Sequence, residues 1–163
     1  MATEEQKKAR QIRLFNDIIF GFGKGLYDLF GDSAVATVDT IGEDVLEEME
    51  HELGLEIHGE DPQDILMEIE RLLIDEYGLV ESATIEITDH EGGHHEVHVV
   101  YHGDLLFRAT REMVEAGMPP LTAVPFMLAK AALDKRLGKK ARFKKIEIDN
   151  ATRSVNIEFD VVD

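Results

Sequence analysis

Cysteine is absent from the chain. That excludes disulfides, thiol nucleophiles and cysteine-ligated zinc or iron–sulfur centres. Positive charge is scarce: 17 Lys and Arg stand against 34 Asp and Glu, a formal net charge of −17. A field of that sign repels phosphate backbones, so no nucleic-acid partner and no anionic membrane surface is expected. No apolar run is long enough to span a bilayer. The opening stretch, Met1 to Lys8, is charged and lacks the apolar centre of a signal peptide, so a cytoplasmic protein is expected. Internal repeats and linkers rich in Pro, Gly and Ser are also missing.

What is present fits one domain over residues 1–163. A chain of this length buries roughly 70% of its unfolded surface, and its hydrophobic fraction of 44% is ordinary for a globular protein. The charge is unevenly spread. Arg71 is the only Lys or Arg between Glu43 and Glu76, whereas Lys130, Lys135, Arg136, Lys139, Lys140, Arg142, Lys144 and Lys145 lie close together. Such blocks usually form solvated faces, here with opposite signs that attract each other within a homodimer.

Apolar spacings of three and four, from Ile12 through Phe15, Ile18, Ile19, Phe22 and Leu26 to Phe30, predict a helix from about Glu5 to Phe30. Gly21, Gly23 and Gly25 inside it predict a kink or a close helix contact. A second helix runs from Asp32 or Ser33 to Leu53, with Gly54 as its C-cap and Gly42 permitting a close approach. A third opens at Asp61-Pro62 and stops at Gly78. The period then changes to two. Thr84–Thr88 and Val97–Tyr101 alternate as strands around Glu91-Gly92-Gly93. A three-residue loop with a left-handed Gly sets His90 opposite His94, Ile87 beside Val97 and Ile85 beside Val99. Leu105–Ala116 and Thr122–Leu137 read as helices, with Pro125 in the first turn of the latter. Lys144–Ile148 and Val155–Phe159 read as strands joined by a turn at Asp149 to Thr152. The expected fold is α+β: a helical N-terminal half and an antiparallel sheet of about four strands in two hairpins, with helices packed on one face.

No complete catalytic constellation accompanies this pattern. His90-Glu91-Gly92-Gly93-His94 matches H-E-x-x-H in letters, but that zinc motif needs a helix, and here two glycines sit between alternating strands. His90 and His94 remain the candidate metal ligands, as cross-strand neighbours. Gly21 to Gly25 lacks the G-K-[ST] ending of a phosphate loop and the strand before it. No G-x-S-x-G elbow is present, and no catalytic residue or cofactor is assigned. Phe and Met are concentrated in the helices. Most are core, but some are expected to wall an apolar pocket, with Phe20, Tyr27, Phe107, Phe126 and Met127 as candidates.

Three segments carry a family resemblance: Gly25-Leu26-Tyr27-Asp28-Leu29-Phe30-Gly31 leading to Thr40-Ile41-Gly42-Glu43; Leu73-Ile74-Asp75-Glu76-Tyr77-Gly78-Leu79; and Glu115-Ala116-Gly117-Met118-Pro119-Pro120 through Pro125-Phe126-Met127-Leu128. With the closing hairpin, they resemble the four-vinyl reductase, or hydrocarbon-binding, domain family, in its small stand-alone archaeal form. The resemblance implies a fold similar to the ligand-binding domains of haem nitric-oxide sensors and Golgi tethering subunits. It also implies a homodimer binding a small apolar ligand in a regulatory, non-catalytic role. Many relatives carry a cysteine near the proline-rich connector. Pro119 to Pro125 has none here, so thiol-based ligand chemistry does not carry over. Two other classes compete with this expectation: a metal-dependent hydrolase or lyase built on His90 and His94, and a protein-interaction module using the charged faces.

Overall fold

A computed structural model describes residues 2–163. Helix α1 spans Glu4–Phe30 and opens on a capping box, in which Thr3 accepts from Gln6 N–H and the Gln6 side chain accepts from Thr3 N–H. It runs unbroken through its glycines. A single 3-10 turn, Gly31–Ser33, joins it to α2, Ala34–Leu53, so neither Asp32 nor Ser33 caps that helix as a side chain. Gly54 closes α2 in the left-handed conformation. Helix α3, Pro62–Arg71, begins with the Asp61 carboxylate accepting from Asp64 N–H. It then widens into a π-type turn over Leu72–Glu76, which replaces the last regular turns expected from the sequence.

The sheet follows. Strands β1 (Ser82–Asp89) and β2 (His95–His102) form the first hairpin, and Ile87 pairs with Val97 and Ile85 with Val99. This is the expected register. Gly92 and Gly93 turn the chain at φ of 80° and 76°, angles that disfavour any residue with a Cβ. Helices α4 (Phe107–Glu115) and α5 (Val124–Leu137) lie between the hairpins in sequence. Strands β3 (Lys140–Asp149) and β4 (Ser154–Val162) complete an antiparallel sheet in the order β1-β2-β4-β3. β3 begins four residues earlier than its alternation suggested. A bulge at Lys144, between Phe143 and Lys145, breaks the two-residue rhythm there.

Helices pack on one face. Val97, Val99, Tyr101, Val155, Ile157, Phe159 and Val161 point inward and are fully or nearly fully buried. They meet Ile65, Ile69 and Leu72 from the α3 region and Leu128, Ala132 and Leu133 from α5. Helix α2 packs across α5. A Cβ on Gly42 would stand 2.8 Å from Met127 Cγ and 2.9 Å from its carbonyl oxygen, so the two backbones nearly touch. Helix α1 reaches the body mainly through α4. Asn16, 3% exposed, donates to Leu105 O at 2.8 Å and accepts from Ala109 N–H at 2.9 Å. It thereby satisfies an end of α4 that has no cap of its own.

The basic block is largely neutralised within the chain. Lys130 pairs with Asp39 at 2.5 Å, Lys139 with Asp163 at 2.7 Å, Lys144 with Glu96 at 2.5 Å, and Lys140 with Asp134. Glu50, 7% exposed, accepts from Ile57 N–H at 2.9 Å, from Lys135 at 3.1 Å and from Arg136. Burial alone would raise this carboxyl. The bonds from Ile57, Arg136 and Lys135 outweigh that and hold it below its usual value of 4.5. Its contribution is therefore present above pH 4.5 and lost as pH falls through the depressed folded-state value. Glu50→Ala leaves two cations facing an apolar junction and is expected to cost about 2–4 kcal/mol at neutral pH, read by urea denaturation.

Asp104 behaves oppositely. It is 2% exposed, and burial pushes its carboxyl from 3.8 up to about 6, although Leu106 N–H donates to it at 2.8 Å. Between pH 3.8 and about 6 the folded chain holds a proton that the unfolded chain has released, so stability falls as pH rises through that window. Asp104→Asn keeps an acceptor for Leu106. It removes the titrating group and is expected to flatten that slope in thermal melts recorded across the window.

Candidate functional site

The connector from α4 to α5 is short and stiff. Met118 N–H donates to Met113 O at 3.0 Å, Leu121 N–H donates to Pro119 O at 2.7 Å, and prolines occupy positions 119 and 120. Buried Thr110 and Thr122 bond side chain to side chain at 3.1 Å and fasten its far end to α4. The connector is thus held away from the sheet edge. Beyond the tight contact at Gly42, the first turns of α2 carry Val35 and Val38 toward the same space.

Between these parts lies a cleft of about 580 Å³. Val35 and Val38 of α2 form one side, Met118 to Leu121 of the connector another, and Phe126 and Met127 of α5 the base. Ala141, Phe143 and Ile146 of edge strand β3 close it. Phe126, 9% exposed, anchors the base: its ring meets Phe143 edge-on at 5.8 Å between centroids and Phe159 at 5.2 Å. Val35 and Phe143, each 41% exposed, stand at the mouth. The polar groups are few: Asp32, Asp39, Lys130 and Arg142. Lys130 and Asp39 are paired with each other across the α5–α2 boundary. The lining is mainly apolar with sparse polar groups, and the volume lies in the range of roughly 300–1,000 Å³ common among ligand pockets. No hydroxyl or thiol nucleophile lies among the lining residues.

Of the five wall residues expected from sequence, Phe126 and Met127 line the cleft. The other three lie outside it. Phe20 and Tyr27 are half-buried on α1. Phe107, 5% exposed, belongs to the main core, with the Arg153 guanidinium 5.8 Å from its ring centre. Val35, Val38, Met118, Leu121 and Ile146 were missed. The Pro119-Pro120 connector was the available signal, since it marks a segment too stiff to collapse onto the sheet.

The hairpin brings His90 and His94 together, their rings stacked at 5.0 Å. Carboxylates, not a shared cation site, take up their outer nitrogens: His90 Nε2 lies 3.5 Å from Glu96, and His94 Nε2 lies 3.0 Å from Asp160. Lys144, turned outward by the bulge, sits between those acids, 2.5 Å from Glu96 and 3.4 Å from Asp160. Lys144 holds Glu96 below the usual carboxylate range, and His94 with Lys144 does the same for Asp160. Among the described residues no group of three or more His, Asp or Glu side chains is arranged to hold a metal ion.

The chain is an α+β protein with an apolar cleft beside its sheet edge. No protein-family model matches it, and no curated protein matches its sequence. Among the described residues no helix is long and apolar enough to cross a membrane.

The cleft walls differ in what they do for the fold. Phe126→Ala empties part of the core and is expected to cost about 3 kcal/mol. Phe143→Ala removes a half-exposed side chain and is expected to cost under about 1 kcal/mol. Comparative thermal melts check the contrast.

Proposed function

We propose that this protein is a non-catalytic binding or sensing domain that takes a small apolar ligand into the cleft between α2, the α4–α5 connector and β3, and that it works as a homodimer. The observation that carries the reading is the cleft itself: about 580 Å³, walled mainly by Val, Met, Pro, Leu, Ile and Phe side chains, with no hydroxyl or thiol among its lining residues. Drug-sized ligands occupy pockets of roughly 300–1,000 Å³. The resemblance to the hydrocarbon-binding domain family supports the same ligand class. Met118 and Met127 suit a wall that adjusts to the shape of its guest.

Binding requires only burial of the ligand's apolar surface, worth about 25 cal/mol for each Å² removed from water. Asp39 and Lys130 set a polar limit on one side and are already paired, so that part of the wall does not call for a charged ligand. An uncharged naphthalene fluorophore is the test probe. Saturable emission enhancement is expected with the wild type. Val38→Trp, which fills the cleft from a half-buried position, is expected to weaken it at least about tenfold while leaving the melting temperature unchanged or higher. Absence of saturable binding to the wild type would overturn the proposal.

A further inference from the structure

Helix α1 carries two apolar stripes, and the body of the protein uses one. Asn16 and Gly23 mark the buried side, where a Cβ on Gly23 would collide with Met113. The other side holds Phe15, Ile18, Phe22 and Leu29, exposed by 64%, 44%, 70% and 77%. At 100° per residue these four fall within a sector of about 60°. Leu14 and Phe30, 59% and 56% exposed, flank it. An apolar stripe of this breadth on a helix face marks an interaction surface.

The glycines say how that surface is used. Gly21 and Gly25 lie along the edge of the exposed stripe, one turn apart. A Cβ on either would meet nothing within 4 Å. Each is disfavoured against Ala in a helix interior, and no contact within the chain explains either one. Close approach by the backbone of another helix would explain both.

Charge and area select the occupant. Two copies of a chain with net charge −17 repel each other, so they associate best where the local charge is smallest. The α1 segment carries five basic and four acidic side chains, close to balance. The six exposed side chains offer about 700 Å² per copy, hence about 1,400 Å² for two, within the standard range of ~1,200–2,000 Å² for stable interfaces. A twofold arrangement sets the stripe against itself and needs no second patch.

We infer that the exposed stripe of α1 is the seam of the homodimer, with the α1 helices of two copies crossing closely at Gly21 and Gly25. This rests on the homodimer half of the proposed function and not on the cleft, whose walls include no α1 residue.

Sedimentation of the wild type at micromolar concentration is expected to give twice the chain mass of 18.4 kDa. Phe22→Glu, at an exposed position, is expected to keep the circular dichroism spectrum and raise the dimer dissociation constant on the order of 100-fold. Gly25→Cys introduces the only thiol in the chain. Under diamide it is expected to form a disulfide-linked dimer, whereas Glu47→Cys on exposed α2 stays unlinked. A monomeric wild type would overturn both the seam and the homodimer. A dimer that survives Phe22→Glu and leaves Gly25→Cys unlinked would overturn the seam alone. A wild-type monomer that binds uncharged phosphatidylcholine vesicles and is released by Phe22→Glu would overturn it in favour of a lipid surface.

Discussion

The contact of α2 with α5 at Gly42 sets the geometry of everything around the cleft. With only a hydrogen where a Cβ would strike Met127, α2 lies almost against the α5 backbone at that point. One end of the contact is fastened by Glu50 to Lys135 and Arg136, and the other by Asp39 to Lys130. Toward its N-terminus α2 meets the stiff Pro119-Pro120 connector and the β3 edge, and the space left between these three rigid parts stays open. The cleft is thus a consequence of a close crossing at one place and an incompressible spacer at another. Protein interiors pack to crystal-like density, so an unfilled volume beside the core calls for such a cause.

Electrostatics in this chain are mostly internal. The acid-rich α2 and the basic α5 attract each other within one chain through Asp39 and Glu50, while Asp134 of α5 and Glu96 of β2 take up Lys140 and Lys144 of β3. The expectation of two free solvated faces gives way to a set of bonds between helices and strands, which leaves the remaining surface strongly acidic. The histidine hairpin follows the same logic. Its carboxylates face Lys144 and two imidazoles.

Much of the fold could be read from the residues because local and global signals agree. Alternation around Ile85, Ile87, Val97 and Val99, with two glycines able to adopt positive φ, fixed both the hairpin and its register. Gly54, Pro62, Pro125 and Gly138 marked helix ends at sites where only their backbone preferences fit well. The first half of β3 was hidden because the Lys144 bulge shifts the inward side chains by one position. Gly78, at φ 58°, ends the α3 region as its sequence suggested, but the widening to a π-type turn over Leu72–Glu76 left no mark in the apolar stripe.

The site was only half legible, for a different reason. Aromatic bulk does not show on which side of a helix layer a residue packs, nor, as Phe15 and Phe22 show, whether the chain itself covers it. Phe107 and Phe126 look alike in sequence, yet the first fills the main core and the second also bounds the cleft. Asn16 carried no signal, since its role depends on an α4 terminus 89 residues away in the chain. The most direct measurement is a high-resolution crystal structure of the protein soaked with an uncharged aromatic probe. The account predicts probe density against Phe126, Met127 and the Pro119-Pro120 connector. A collapsed connector, with Val38 packed onto Phe143 and no space between them, would contradict it.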